Sequence, residues 1–312
     1  MAQKRISLVS APGKIIFSGE HSVVYGQPAL LKAINRRLFL GVEKAAKTEI
    51  ITCEPGKLAQ FAFEKTIKAL KEDPEGIKIT ISSQIPVARG LGSSAALAVA
   101  MVGGLFKYFK KPWQRNLINQ IAFEIEKKQH GNPSGGDNSI VCFGGVLRFQ
   151  KRVGKFIIKP LRTKLNLSRF VLLDSGRAEE TTGEMVDQVS KKLNKEKKKM
   201  TQKIALMGKL TKAMIASFEN ADFTCLPELI KENQRLLEEI GVVGKKARKI
   251  IKKIEKLGGA AKICGAGGLK TGSGVILGYH QEPSLVLALA KKEKLVHFPV
   301  KLGAKGLKDE KS

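Results

Sequence analysis

The sequence predicts an α+β protein built from two lobes, and three observations carry that reading. The chain has 312 residues, more than the ~100–200 of a usual single domain. Strand-like runs cluster in its first half, whereas Thr182 to Leu257 is almost wholly helical in pattern. Strands then return around one further helix near the C-terminus. This change of character divides the chain into an N-terminal domain over 1–165 and a C-terminal domain over 166–312.

Taken in order, Ile6 to Ser10, Leu38 to Lys44 and Glu49 to Cys53 read as strands, as does the strictly alternating Ile77-Lys78-Ile79-Thr80-Ile81. Gln60 to Lys71 reads as an amphipathic helix. Ser93 to Lys110 and Trp113 to Gln129 follow as helices. Ile140 to Phe149, Phe156 to Leu161 and Phe170 to Asp174 then read as strands. Beyond the helical stretch, strands are expected at Ala261 to Cys264, Val275 to Tyr279 and Leu295 to Val300, with a helix at Pro283 to Lys292. No internal repeat is present.

Composition narrows the class. With 43% hydrophobic residues, 27% charged, 31 Gly and 11 Pro, the chain is neither disordered in bulk nor collagen-like. Its longest nearly apolar stretch, Ala95 to Phe106, is about twelve residues against the ~20 of a membrane-spanning helix. The apolar run after Lys4 and Arg5 is only Ile6-Ser7-Leu8-Val9, too short for a signal-peptide core, so a cytoplasmic protein without a membrane partner is expected. Cys53, Cys142, Cys225 and Cys264 are far apart and unpaired with the four histidines, which predicts reduced, mostly buried thiols.

A net charge of +28 raises nucleic acid as a partner. Its distribution favours a solvated face. Residues 191–212 hold nine Lys and one Glu, and residues 245–256 hold seven basic residues and one Glu. In the second segment Ala247, Ile250, Ile251, Ile254 and Leu257 recur at helical spacing, which leaves the lysines on the opposite side. Aromatic residues for base stacking are nearly absent from both segments, so no specific nucleic-acid partner is expected.

Four segments carry candidate chemistry. Pro86-Val87-Ala88-Arg89-Gly90-Leu91-Gly92-Ser93-Ser94-Ala95-Ala96 is a glycine-rich turn opening into an apolar helix. It reads either as a phosphate cradle at a helix N-terminus or as a tight turn with a serine cap. No G-x-x-x-x-G-K-S/T occurs in the chain. In Glu126-Lys127-Lys128-Gln129-His130-Gly131-Asn132-Pro133-Ser134-Gly135-Gly136-Asp137-Asn138, a helix bearing Glu126 runs into a turn-forming loop that presents Asp137. Asp137 there is either an Asx-turn former or, with Glu126, one of two carboxylates for a magnesium ion and a base. Lys262 to Gly274 has five glycines in ten residues and reads as a long hairpin or a ligand-covering loop. Near the N-terminus, Pro12-Gly13-Lys14 precedes Gly19-Glu20-His21-Ser22-Val23-Val24-Tyr25-Gly26-Gln27-Pro28-Ala29-Leu30; alone, Lys14 reads as a surface lysine.

Together and in this order, the four segments resemble the GHMP superfamily of small-molecule kinases, most closely its mevalonate kinase branch. The G-E-H-S-V-V-Y-G and H-G-N-P-S-G-x-D-N stretches carry that finer likeness, which spans Ala11 to Tyr279. The resemblance implies an N-terminal domain like ribosomal protein S5 domain 2, a ferredoxin-like C-terminal domain, and ATP bound between them. The implied reaction is transfer of phosphate from ATP to mevalonate, giving 5-phosphomevalonate for isoprenoid synthesis, with Mg²⁺ as cofactor and room for a homodimer. Phosphomevalonate kinase is the nearest alternative, and a basic nucleic-acid-binding protein one from another class. By motif position, Asp137 and Lys14 are the implied catalytic residues, and His21, Glu20 and Thr182 lie at the substrate. Gly90, Leu91, Gly92, Ser93, Ser94, Ala95, Gly267 and Gly268 are implied at the ATP phosphates, and Ser94 and Glu126 at the metal. The third segment reads G-A-G-G-L-K-T-G-S-G where the family has a compact glycine run, so a longer loop is expected to carry Lys270 toward the nucleotide.

Overall fold

The computed structural model describes residues 6–52, 57–130, 133–152, 155–162, 169–298 and 300–310. Two long strands, β1 (Ser7–Ser18) and β2 (Ala29–Lys44), pair antiparallel from Ser7↔Val42 to Ser18↔Leu30. The register shifts between Pro12 and Gly13, at the residue that has no N–H to give the ladder. Alternation in the sequence marked only the outer halves of these strands. Their inner halves, through Lys14 and through Ala29 to Ile34, are buried on both faces and so lose the period of two.

β3 (Glu49–Thr52), β4 (Ile77–Ser83), β5 (Val146–Arg152) and β6 (Lys155–Pro160) extend this sheet. β4 pairs with the outer half of β2 and β5 with its inner half, so β2 is shared by two arms of the sheet. α1 (Leu58–Leu70), α2 (Ser93–Tyr108), α3 (Arg115–His130) and α4 (Gly136–Phe143) belong to the same lobe. α2 packs on β1 and β2 with every residue from Ala95 to Phe106 buried, which explains its almost unbroken apolar run. Residues 136–143, expected as a loop and the start of a strand, form α4. That helix has only two turns, too few for a helical period to show.

The second lobe is a four-stranded antiparallel sheet of β7 (Phe170–Asp174), β8 (Ala260–Ile263), β9 (Val275–Tyr279) and β10 (His297–Phe298), in the order β10-β7-β9-β8. Counted within the lobe this is the ferredoxin-like arrangement. α5 (Thr182–Lys195), α6 (Lys197–Asn220), α7 (Leu226–Ile240) and α8 (Lys245–Lys256) join β7 to β8, and α9 (Pro283–Lys292) joins β9 to β10. α8 buries Ala247, Ile250, Ile251 and Ile254 and turns its lysines to solvent, as its spacing predicts.

The closing segment does not stay with the second lobe: β11 (Lys308–Asp309) pairs with β1, Leu302 bridges Ile34, and Arg37 donates to Lys305 O and Gly306 O. A two-residue polar strand leaves no pattern to read. Among the described cysteines, Cys142 and Cys264 are buried but Cys225 is exposed; Cys53 lies outside the described residues.

Candidate active site

A cleft of about 360 Å³ lies between the lobes. It is walled by the inner half of β1, the start of α2, the α3–α4 turn and loops of the second lobe. Lys14 enters it from β1. Its backbone N–H donates to Leu91 O at 2.9 Å, and its Nζ stands 2.9 Å from Asp137 Oδ2. Gly92 is what allows this. The residue has φ 75, and a Cβ on it would come within 2.7 Å of Lys14 Cγ, so the lysine stem lies directly on a glycine backbone. Asp137 sits in the first turn of α4 and is 34% exposed, enough for an acceptor molecule to reach it.

α2 begins at Ser93, and its first intrahelical bond runs from Ala96 N–H to Gly92 O. The amides of Ser93 to Ala95 therefore precede any intrahelical acceptor, at the positive end of the helix dipole and beside the glycine turn. Gly90, Leu91, Gly92, Ser93 and Ser94 line the cleft; Ala95 lies behind them, fully buried. The Ser94 side chain hydrogen-bonds Glu126, which projects from α3 and is almost wholly buried. Burial and the nearby Asp137 charge push the Glu126 carboxyl up to about 8, against the pull of Ser94 and Lys14.

On the opposite wall, His21 holds a left-handed φ of 56, and its Nε2 lies 2.9 Å from Ala266 O. A carbonyl only accepts, so Nε2 carries the hydrogen. Nδ1 has no hydrogen-bond partner among the described residues. Burial holds the ring's pKa down to about 4, which leaves it neutral at physiological pH. Glu20 is also buried in this wall and pairs with Lys262 of β8. Burial raises the Glu20 carboxyl, and Lys262 opposes the rise.

The second lobe contributes Arg177, Ala178, Glu180 and the start of α5, where Thr181 and Glu184 form a capping box and Thr182 lines the cleft. Of the third glycine-rich segment, Gly265, Ala266 and Gly267 line it too. Gly267 has φ 81, and a Cβ there would sit 1.9 Å from Val242 O. Gly268, expected at the phosphates, is not in the wall; its N–H donates to Val242 O at 3.0 Å. Lys270 does not line the cleft either. Its backbone N–H and that of Leu269 lean on the Glu180 carboxylate, and its Nζ lies 3.8 Å from Glu179 on the exposed surface. The inserted Leu-Lys-Thr thus braces the 177–180 wall.

The structure brings together Lys14, Glu20, His21, the 90–94 turn, Glu126, Asp137 and Thr182, which are dispersed in sequence. Sequence reasoning missed Lys262 and the Arg89–Asp174 ion pair, 2.7 Å long, which ties the glycine turn to the end of β7. A lysine inside the otherwise apolar strand Ala260–Ile263 was the available signal for the first.

A two-lobed α+β fold whose cleft joins a glycine turn, a helix N-terminus and a paired lysine and aspartate defines the GHMP class of small-molecule kinases. Residues 57–145 match the GHMP kinases N terminal domain, and residues 214–269 match the GHMP kinases C terminal domain. The chain is 34% identical over 269 residues to the mevalonate kinase of Archaeoglobus fulgidus, covering 84% of this chain and 89% of that one. It is 32% identical over 299 residues to the mevalonate kinase of Pyrococcus abyssi, covering 85% and 87%. It belongs to the mevalonate kinase family. Among solved structures, the L. major mevalonate kinase in complex with R-mevalonate superposes with a TM-score of 0.81 at 22% identity, over 98% of this chain and 97% of that one. Streptococcus pneumoniae phosphomevalonate kinase also gives 0.81, at 16% identity over 95% and 99%. The fold is therefore common to kinases of different acceptors, and the finer placement comes from the sequence relatives.

Proposed function

We propose that this chain transfers the γ-phosphoryl group of ATP to the primary hydroxyl of mevalonate, giving 5-phosphomevalonate. The observation that carries this reading is the 2.9 Å pair of Lys14 and Asp137 beside the α2 N-terminus. Asp137 accepts or orients the hydroxyl proton of the acceptor, and Lys14 Nζ stabilises the charge that develops on the attacking oxygen and the phosphoryl group. The amides around Gly90 to Ala95 receive the phosphates of ATP. His21, Glu20 and Thr182 form the acceptor side, with Ile16, Val23, Val24 and Val186 as its apolar surface.

The donor set at Ser94 and Glu126 consists of hard oxygen ligands, with Asp137 close by, and suits Mg²⁺, which takes one or two carboxylates and fills its shell with phosphate oxygens and water. Ser94 and Glu126 would hold the ion, which when bound neutralises phosphate charge. Burial raises the Glu126 carboxyl to about 8, so holding the ion there would require that carboxyl in its deprotonated form.

Mevalonate is favoured over phosphomevalonate by relatives at 30% identity or more. No described helix is long and apolar enough to cross a membrane. The same reading divides the chain near residue 165, with the closing strand returning to the first lobe, and places the enzyme in the cytoplasm without a specific nucleic-acid partner and with room for a homodimer. The test is ADP release with ATP, Mg²⁺ and a panel of mevalonate, phosphomevalonate, homoserine and galactose. Mevalonate is expected to give the highest kcat/KM; preference for another member of the panel would refute the acceptor.

A further inference from the structure

Three lysines are buried in the described structure: Lys14, Lys32 and Lys262. Lys14 belongs to the reaction. Lys32 packs over the rings of Phe17 and Phe218 at 3.9 and 4.0 Å and forms no part of the cleft wall. Lys262 is different, because it reaches from the second lobe into the first. Its side chain is 0% exposed and its partner Glu20 1%; besides Glu20 Oε1, its Nζ donates to Ile263 O at 2.7 Å and to Ile16 O at 3.5 Å.

The segment that Lys262 grips joins Lys14 to His21. The same segment is tied twice more to the loop that follows β8, by Ile16 N–H to Cys264 O at 3.2 Å and by His21 Nε2 to Ala266 O at 2.9 Å. Ile16, Glu20 and His21 all line the cleft, and Glu20 Oε2 makes no hydrogen bond to a described residue. An ion pair removed from water in this way is weak support for stability, because desolvation offsets the attraction, so its presence calls for another reason.

We propose that Lys262 is a positioning residue for phosphoryl transfer: it anchors residues 16–21 of the first lobe to β8 of the second through Glu20, and so sets the acceptor side of the cleft. This rests on the proposed kinase reading. The lobes then build the acceptor pocket jointly, while the phosphate turn at 90–94 is held by other contacts. Loss of the anchor acts on the acceptor more than on ATP, since small displacements of a bound reactant cost rate steeply.

The experiment compares Lys262→Met, Glu20→Met and the double variant in thermal midpoint, kcat and the two KM values. Each single change leaves one buried group without its partner and lowers the midpoint; the double change removes both charges and restores it. The expected result is a double variant with a recovered midpoint, an acceptor kcat/KM still down about 30-fold, and KM for ATP within about threefold of wild type. A double variant that is stable and turns over within about threefold of wild type makes the pair a packing feature only and overturns the proposal, as does an equal rise of both KM values. Glu20→Gln, isosteric and still able to accept from Lys262, is the second variant and serves even if the double does not fold. Its kcat/KM is expected within about tenfold of wild type, and a larger loss at unchanged midpoint would make the carboxylate itself the acting group and refute Lys262 as acting through position. Rates are read with whichever panel acceptor wild type uses best, so a wild type that ignores mevalonate sinks the proposed acceptor while the comparison of variants still decides the role of Lys262.

Discussion

Asp137 Oδ2 lies 2.9 Å from Lys14 Nζ, so a carboxylate from the first turn of α4 and an amine from the middle of β1 meet at one point of the cleft. The amine is 4% exposed and the carboxylate 34%. Lys14 is therefore fixed from behind, by Leu91 O and the Gly92 backbone, while Asp137 remains reachable for an incoming hydroxyl. The glycine turn before α2, proposed above to receive the nucleotide, is a separate element.

That separation makes Asp137→Asn a selective lesion. The amide keeps the shape but cannot take a proton, so kcat is expected to fall ~10²–10⁴-fold. KM for ATP should stay within about threefold. Steady-state rates with chemistry shown to be limiting check this, and a variant keeping more than about a third of wild-type turnover removes Asp137 from the mechanism.

Glu126→Gln should fail differently. A neutral amide is a poorer magnesium ligand than a carboxylate, so the half-saturating Mg²⁺ concentration is expected to rise about tenfold, with part of the rate recovered at high Mg²⁺. A magnesium titration at fixed ATP decides it. An unchanged curve places the metal elsewhere and leaves Glu126 as a buried helix residue.

The parts of this site that were legible in the sequence are those carried by local backbone chemistry. The glycine turn and the α2 start announce themselves because Gly90, Gly92 and Ser93 are contiguous with the helix they open. The meeting of Lys14 and Asp137 is not written in any spacing; it follows from β1 crossing beneath α2 and α4, and only the order of the motifs hinted at it. Asp137 was expected in a loop because Ser134-Gly135-Gly136 punctuates the chain just before it, whereas the helix that follows is too short to show a period. Lys262 reads as an ordinary strand lysine, since burial between lobes is a tertiary property. Lys270 misled for a related reason: the insertion it sits in is braced sideways by Glu180, a partner distant in sequence.

Gly92→Ala tests the contact that seats Lys14, the lysine proposed to act in catalysis. A methyl group there meets Lys14 Cγ at 2.7 Å on a backbone with φ 75. Backbone strain of about 1–3 kcal/mol and a displaced amine are expected, with kcat down ~10²-fold. Thermal unfolding and kcat measured on the same preparation check it. A midpoint and a rate both within error of wild type would show that the turn relaxes without moving Lys14.

The buried His21 ring gives a pH signature. Its pKa is held down to about 4 in the folded chain, below the 6.5 of an unperturbed histidine. Between those values the unfolded chain binds a proton that the folded chain refuses, so stability falls as pH drops from about 6.5 toward 4 and flattens below, by ~3 kcal/mol at most. His21→Gln should flatten that part of the stability profile. Denaturant unfolding at several pH values reads it, and an unchanged slope in the variant would show that the ring is charged or exposed in the folded protein.

The most direct measurement is the identity of the product. Wild-type protein with ATP, Mg²⁺ and mevalonate, followed by phosphorus NMR, should yield one new phosphate monoester whose phosphorus couples to the protons of the primary carbon, in step with ADP. Inorganic phosphate alone, or a phosphate ester on the tertiary hydroxyl, would contradict the account.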